Sequence, residues 1–194
     1  MSQDYNTRET LLMRLKNRQD DDDAWQDFHQ IYKGFIWSII IKMGIPSGDQ
    51  DDLVQEVLLK AWQALPRFEY DRERGKFRTW LSRVTSNTAR TYFRKHNRKS
   101  KLFSDVESDQ GVEAEIEKIS AEEWKKFIAD MAWKNVSTNL SEVVKDTFRL
   151  LSEGCSTMEI SEELNIPYNT VSVYKRRVIA KIAKEIAELE IQLG

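Results

Sequence analysis

Apolar residues in this chain recur at the spacing of a helix, and that pattern constrains the fold more than any other feature. Between positions 53 and 65, Leu53, Val57, Leu58, Ala61 and Leu65 fall on one side of an α-helix and leave Gln55, Glu56, Leu59 and Lys60 on the other. Asp49, Asp51 and Asp52 stand at its N-terminal end, where the helix dipole favours carboxylates. With only 7 Gly and 3 Pro in 194 residues, tight turns are too scarce for a sheet protein. The expected fold is all-α. Helices are expected over 8–16, 24–43, 51–65 and 79–96, and again over 121–133, 141–152, 156–164 and 169–193.

Two stretches interrupt the pattern. In "PRFEYDRERGKF", residues 66–77, no period is sustained, and Phe68, Tyr70 and Phe77 interleave with Arg67, Arg72, Arg74 and Lys76. This is read as a loop too rich in rings and cations to be a plain connector. Residues 99–119 are acidic and Ser-containing, the composition of a flexible linker, helical in its last turns. Fully extended, about twenty such residues would span up to roughly 65 Å. The chain is therefore expected to carry one module over 1–98, a linker over 99–119 and a second module over 120–194.

The formal net charge of −2 gives no whole-molecule attraction for nucleic acid. Its distribution does. From Arg72 to Lys101 the chain carries eleven cations (Arg72, Arg74, Lys76, Arg78, Arg83, Arg90, Arg94, Lys95, Arg98, Lys99 and Lys101) against the single acid Glu73. Arg83, Asn87, Arg90 and Arg94 recur at three- or four-residue spacing, which places them on one polar face. Trp80, Leu81, Val84 and Ala89 are expected in the core beneath it.

The second half contains "GCSTMEISEELNIPYNTVSVYKRRVIAKI", residues 154–182. Gly154 ends one helix, Ser156 or Thr157 caps the next with Glu159 close behind, and Asn165 suits a left-handed turn before Ile166. Val171, Val178 and Ile182 line the buried side of the following helix. That order is the grammar of a helix-turn-helix. In this motif the second helix presents its N-terminal residues to base edges, so Asn169, Thr170, Ser172, Val173 and Arg176 are the base-reading candidates. Lys175, Arg177 and the hydroxyls of Ser156 and Thr157 are better placed for phosphates.

The first half supplies the context. "DQDDLVQEVL" (49–58), "GKFRTWL" (75–81) and "SNTARTYFRK" (86–95) resemble the second conserved region of bacterial sigma factors of the extracytoplasmic-function (ECF) type, and the helix-turn-helix resembles the fourth region of the same family. The resemblance implies a subunit that lends promoter specificity to core RNA polymerase. Its first module would dock on the polymerase clamp helices through Asp52, Gln55, Glu56, Leu59 and Lys60. It would read and open the −10 element through Arg67, Phe68, Arg72, Arg74, Lys76, Arg83, Asn87, Arg90 and Arg94. The second would bind the −35 element and the polymerase flap. Many members of the family are held inactive by an anti-sigma factor, a further partner implied.

Three positions depart from the pattern: Thr91 replaces a common Asp, Ser86 a common Arg, which would reduce phosphate contact there, and Asn165 the usual Gly of the turn.

No enzyme, cofactor or metal is expected, because His29, His96 and Cys155 are scattered and no Gly-rich phosphate loop or metal-ligand spacing occurs. Asp20 to Asp23 reads as a solvated turn. A lone cysteine excludes an internal disulfide, no apolar run approaches the roughly 18 to 20 residues of a membrane span, and the polar N-terminus lacks a signal-peptide pattern. A soluble cytoplasmic protein is expected. The competing expectation is a stand-alone helix-turn-helix regulator with an N-terminal sensor, which leaves residues 49–95 without an explanation.

Overall fold

The helical spacing is realised almost wherever it occurs. The computed structural model describes residues 8–17, 21–68, 77–96 and 109–193. Among these described residues eight α-helices follow in order: α1 (Arg8–Asn17), α2 (Asp22–Lys42), α3 (Gln50–Ala64), α4 (Phe77–Lys95), α5 (Asp109–Ser137), α6 (Glu142–Ser152), α7 (Thr157–Glu163) and α8 (Tyr168–Leu193), with short 3-10 turns at Ser47–Asp49 and Leu65–Arg67. Among the described residues there is no strand. The chain divides into two compact units, Met1–Phe127 with Gln192–Gly194, and Ile128–Ile191.

In the first unit α2, α3 and α4 pack on one another, with α1 against α2 and the Leu65–Arg67 turn. The core is the apolar stripe of each helix: Phe28, Tyr32, Phe35, Ile36, Ile39 and Ile40 from α2, Leu53, Val57, Leu58 and Ala61 from α3, and Phe77, Leu81 and Ala89 from α4. Burying each large side chain contributes roughly 1.5–3 kcal/mol. Asp21 begins α2: its carboxylate accepts from the Ala24 amide at 2.9 Å and from the Arg14 guanidinium at 2.9 and 2.7 Å. The acidic run at 20–23, expected as a solvated turn, thus contains a helix cap tied to α1. At the other end of α2, Gly44 has φ 81°, and the amides of Gly44 and Ile45 reach back to Ile41 and Ile40, closing the helix as a Schellman turn.

α4 carries the hydroxyls of Ser82, Thr85 and Thr88 on its buried side and that of Thr91 at its edge. Ser82, Thr85, Thr88 and Thr91 each donate to the carbonyl four residues earlier, at 2.7 to 2.9 Å. The bonds satisfy those groups within the helix. Thr91, in place of the family's Asp, simply joins this ladder.

The stretch expected as a flexible acidic linker differs most. Residues 97–108 lie outside the described residues, but from Asp109 on the chain is helical, and α5 runs unbroken to Ser137. Within the first unit Ile116, Ile119 and Trp124 are buried, Trp124 completely. The Trp124 ring meets Phe35 edge-on at 5.1 Å, and Ser120 shares a 2.6 Å hydrogen bond with Ser82 of α4. The two compact units consequently divide inside α5, eight residues beyond the expected start of the second module at residue 120.

In the second unit Leu150, Ile160 and Val171 form the centre, with Leu151, Cys155, Leu164 and Ile166 packed around them. Trp133 of α5 stacks on Phe148 of α6 at 4.5 Å. No helix among the described residues is long and apolar enough to cross a membrane.

Candidate nucleic-acid interface

α4 buries Phe77, Leu81, Thr85, Ala89 and Tyr92, so its other side is left to solvent. Arg83, Asn87 and Arg94 are exposed there and Arg90 is half-buried, the single stripe expected from their spacing. Arg83 lies 3.8 Å from Glu117 of α5, but both side chains are more than half exposed, so solvent and salt leave that pair weak. Arg67 is exposed on the adjoining 3-10 turn. Phe68 is half-buried, its ring 4.8 Å from Trp80 and 5.5 Å from Phe77. Arg72, Arg74, Lys76 and Tyr70 lie outside the described residues.

Three sequence expectations change on this face. Trp80 and Val84 are half-buried rather than core, because Trp80 closes the aromatic cluster at its outer edge. Phe77 is not a loop residue but the buried start of α4, touching Phe28 and Tyr32. Ser86 is 1% exposed, so a cation at that position would point into the core and no phosphate contact is lost by its being Ser.

In the second unit the helix-turn-helix forms with its expected punctuation. Gly154 (φ 93°) ends α6, and the amides of Gly154 and Cys155 bond to Leu151 and Leu150. Ser156 then caps α7 in a reciprocal box: its hydroxyl accepts from the Glu159 amide at 3.2 Å, and its own amide donates to the Glu159 carboxylate at 2.7 Å. The Ser156 amide first, and its hydroxyl second, hold the Glu159 carboxyl below the ordinary carboxylate range. Asn165 at φ 49° makes the turn, with the amides of Asn165 and Ile166 bonded back to Glu162 and Ser161.

α8 follows, anchored by buried Val171 and Val178. Asn169, Ser172, Lys175, Arg176 and Arg177 are exposed, while Thr157, Thr170 and Val173 are half-buried. Asn169, Ser172, Val173 and Arg176 project opposite the Val171/Val178 stripe, as helical geometry requires. Lys175, Arg176 and Arg177 make no ion pair among the described residues, whereas Lys145, Arg149 and Lys184 of the same unit are each neutralised by a nearby acid. Three successive unpaired cations thus stand in the first half of α8, and the isolated Lys134 and Lys181 are likewise unpaired among the described residues. Sequence reading missed Tyr168, the first residue of α8, by starting the helix one position late; it is 56% exposed.

A third surface lies on α3. Asp52, Gln55 and Leu59 are exposed, Leu59 at 52%. Glu56 and Lys60 are half-buried and joined at 2.7 Å, and the Lys60 ammonium also donates to Thr88 of α4 at 3.3 Å. Leu59 is therefore an apolar side chain standing in a rim of polar ones. Among the described residues no group of His, Cys, Asp or Glu is placed to hold a metal ion.

Comparison with known proteins follows the same division. Residues 28–99 match the family model for Sigma-70 region 2, and residues 138–189 match the model for bacterial regulatory proteins of the luxR family. The chain is 26% identical over 195 residues to the ECF RNA polymerase sigma factor SigW of Bacillus subtilis (strain 168), covering 92% of this chain and 98% of that protein. It is 31% identical over 177 residues to the ECF RNA polymerase sigma-E factor of Escherichia coli (strain K12), covering 85% and 86%. Among solved structures, an engineered region 2 of sigmaE in complex with GTAAAA is similar at 33% identity, over 53% of this chain and all of that one, with a TM-score of 0.43.

Proposed function

The chain belongs to the ECF sigma factors of RNA polymerase, and from that membership we propose how its three surfaces divide the work of starting transcription. The luxR-type match over 138–189 would by itself suit a stand-alone regulator, but the relation to sigma-E runs through both halves of the chain in the same order.

α3 docks the factor on the polymerase clamp helices. Leu59 enters an apolar recess and Asp52 and Gln55 bond around it, while Glu56 and Lys60, already paired, shape the rim. A buried aliphatic anchor inside a polar rim is the usual energetic centre of such an interface. In the second unit a groove of about 490 Å³ floored by Trp133, Phe148 and Ile182 receives the polymerase flap.

α4 and the turn before it face the −10 element. Arg83, Arg90 and Arg94 neutralise phosphates and Asn87 meets a base edge, with Arg67 alongside and Arg72, Arg74 and Lys76 extending the same charge from the 66–77 segment. α8 enters the major groove at the −35 element. Asn169 and Arg176 pair with adenine and guanine edges, Ser172 with either, and Val173 and the Thr170 methyl meet thymine methyls. Lys175, Arg177, Ser156 and Thr157 grip the backbone.

The observation that carries this reading is the open charge at Lys175, Arg176 and Arg177 on a helix-turn-helix whose chain also presents the α3 and α4 faces. Size exclusion with core polymerase tests it. Wild type should co-elute in a one-to-one complex, and Leu59→Asp should weaken it by about 2 kcal/mol or more, roughly thirtyfold in affinity. Absence of any complex with wild type would overturn it.

A further inference from the structure

Tyr168 is the large side chain at the leading end of α8 that the preceding roles leave unused. The Pro167 carbonyl accepts from the amides of Thr170 and Val171, at 2.8 and 3.2 Å, so Pro167 is the cap and Tyr168 the first helical residue. Side chains of an α-helix lean toward its N-terminus, and the Tyr168 ring therefore projects ahead of the helix, beyond Asn169. Ser172, one turn later on the same side, is also exposed, and together they form a column leading out of the helix end.

Nothing among the described residues holds this ring. Tyr32 and Tyr92 are buried and packed against other rings, whereas Tyr168 is 56% exposed and makes no hydrogen bond or ring contact among the described residues. Tyr brings a broad apolar face on only two side-chain torsions, so ordering it on a partner costs little entropy. The cations suited to phosphates, Lys175 and Arg177, stand two turns further along, which leaves the leading end of the helix for base edges.

We propose that Tyr168 is a specificity-determining residue, its ring packing on the C5-methyl of a thymine at one edge of the −35 element. The inference rests on the −35 role assigned above to α8. A thymine methyl is the apolar landmark of the major groove, and a ring edge is complementary to it where a hydroxyl or amide is not. The phenol hydroxyl remains in solvent and contributes little.

The test is transcription by core polymerase with the full chain from a library randomised through the −35 region, sequencing the transcripts made with wild type, Tyr168→Phe and Tyr168→Ala. Wild type and Tyr168→Phe should select thymine at the same position. Tyr168→Ala should lose that preference by about 3- to 30-fold, while preferences elsewhere stay within about twofold. Replacing the selected thymine by deoxyuridine, which deletes only the methyl, should weaken wild type and leave Tyr168→Ala unaffected. An unchanged selection profile with Tyr168→Ala, a uniform loss at every position, or a Tyr168→Phe profile like that of Ala would each overturn the proposal. Wild type that transcribes without selecting any −35 sequence would instead overturn the reading of α8 on which it rests.

Discussion

Asn165 shows how much of the second unit depends on one backbone angle. At φ 49° it occupies the left-handed region, and the return bonds from Asn165 and Ile166 depend on it. A β-branched residue strains there by roughly 1–2 kcal/mol, so Asn165→Val should lower stability by about that amount in urea unfolding, while Asn165→Gly stays within about 0.5 kcal/mol of wild type. The Ser156/Glu159 box gives a second residue-scale prediction. Glu159 titrates lower in the folded chain than in the unfolded one, so its contribution is present above the unfolded carboxylate value and is lost as pH falls through the folded one. Ser156→Ala should cost about 1 kcal/mol and return the Glu159 titration, followed by NMR, toward the ordinary value. Both features were legible because Asn at a turn and Ser followed three residues later by Glu report local geometry. Ser86 was not, since the pattern of a family says which residue is common at a position but not that the position faces the core.

At the scale of the element, helix existence was readable and helix context was not. Seven of the eight helices agree with expectation to within a few residues at each end, because their buried positions repeat on a fixed face. α5 departs from this. Its buried residues include Ile116, Ser120, Trp124, Ile128, Ala132 and Val136, a row in which each member is four residues from the last. Steps of four overshoot a turn by about 40°, so the buried line winds around the helix and no single apolar face shows in the sequence. The acidic residues around its start, Glu113, Glu115 and Glu117, completed the appearance of a linker. The structure gives Trp124 to the first unit, against Phe35 and Phe127. Trp124→Ala should therefore destabilise that unit by about 3–5 kcal/mol in denaturant unfolding. A loss below about 1 kcal/mol would show that α5 is not part of its core.

For the whole molecule, a near-neutral net charge conceals two cationic faces, one on α4 and one at the start of α8, and an exposed apolar side chain on α3. The two-module organisation was evident from the motifs, but its boundary was not, because the chain passes from one unit to the other without leaving the helix. A fragment ending at residue 98 should consequently unfold at lower urea concentration than one ending at residue 130, which keeps Ile116, Ile119 and Trp124. The candidate sites were legible as charge and spacing, whereas the Lys60 bond to Thr88, the weak pairing of Arg83 with Glu117 and the packed ring of Phe68 required three-dimensional partners to recognise. The central claim is that this chain gives core polymerase a promoter preference read in part by α8. Its most direct measurement is transcription from a pool of genomic promoters by core polymerase, without the chain, with wild type and with Arg176→Ala. The account predicts transcripts that appear only with the chain, share a −35 and −10 pair, and lose discrimination at one −35 position by about 1–3 kcal/mol in the variant. Specific duplex binding by the protein alone, with no transcript that depends on it, would contradict the account.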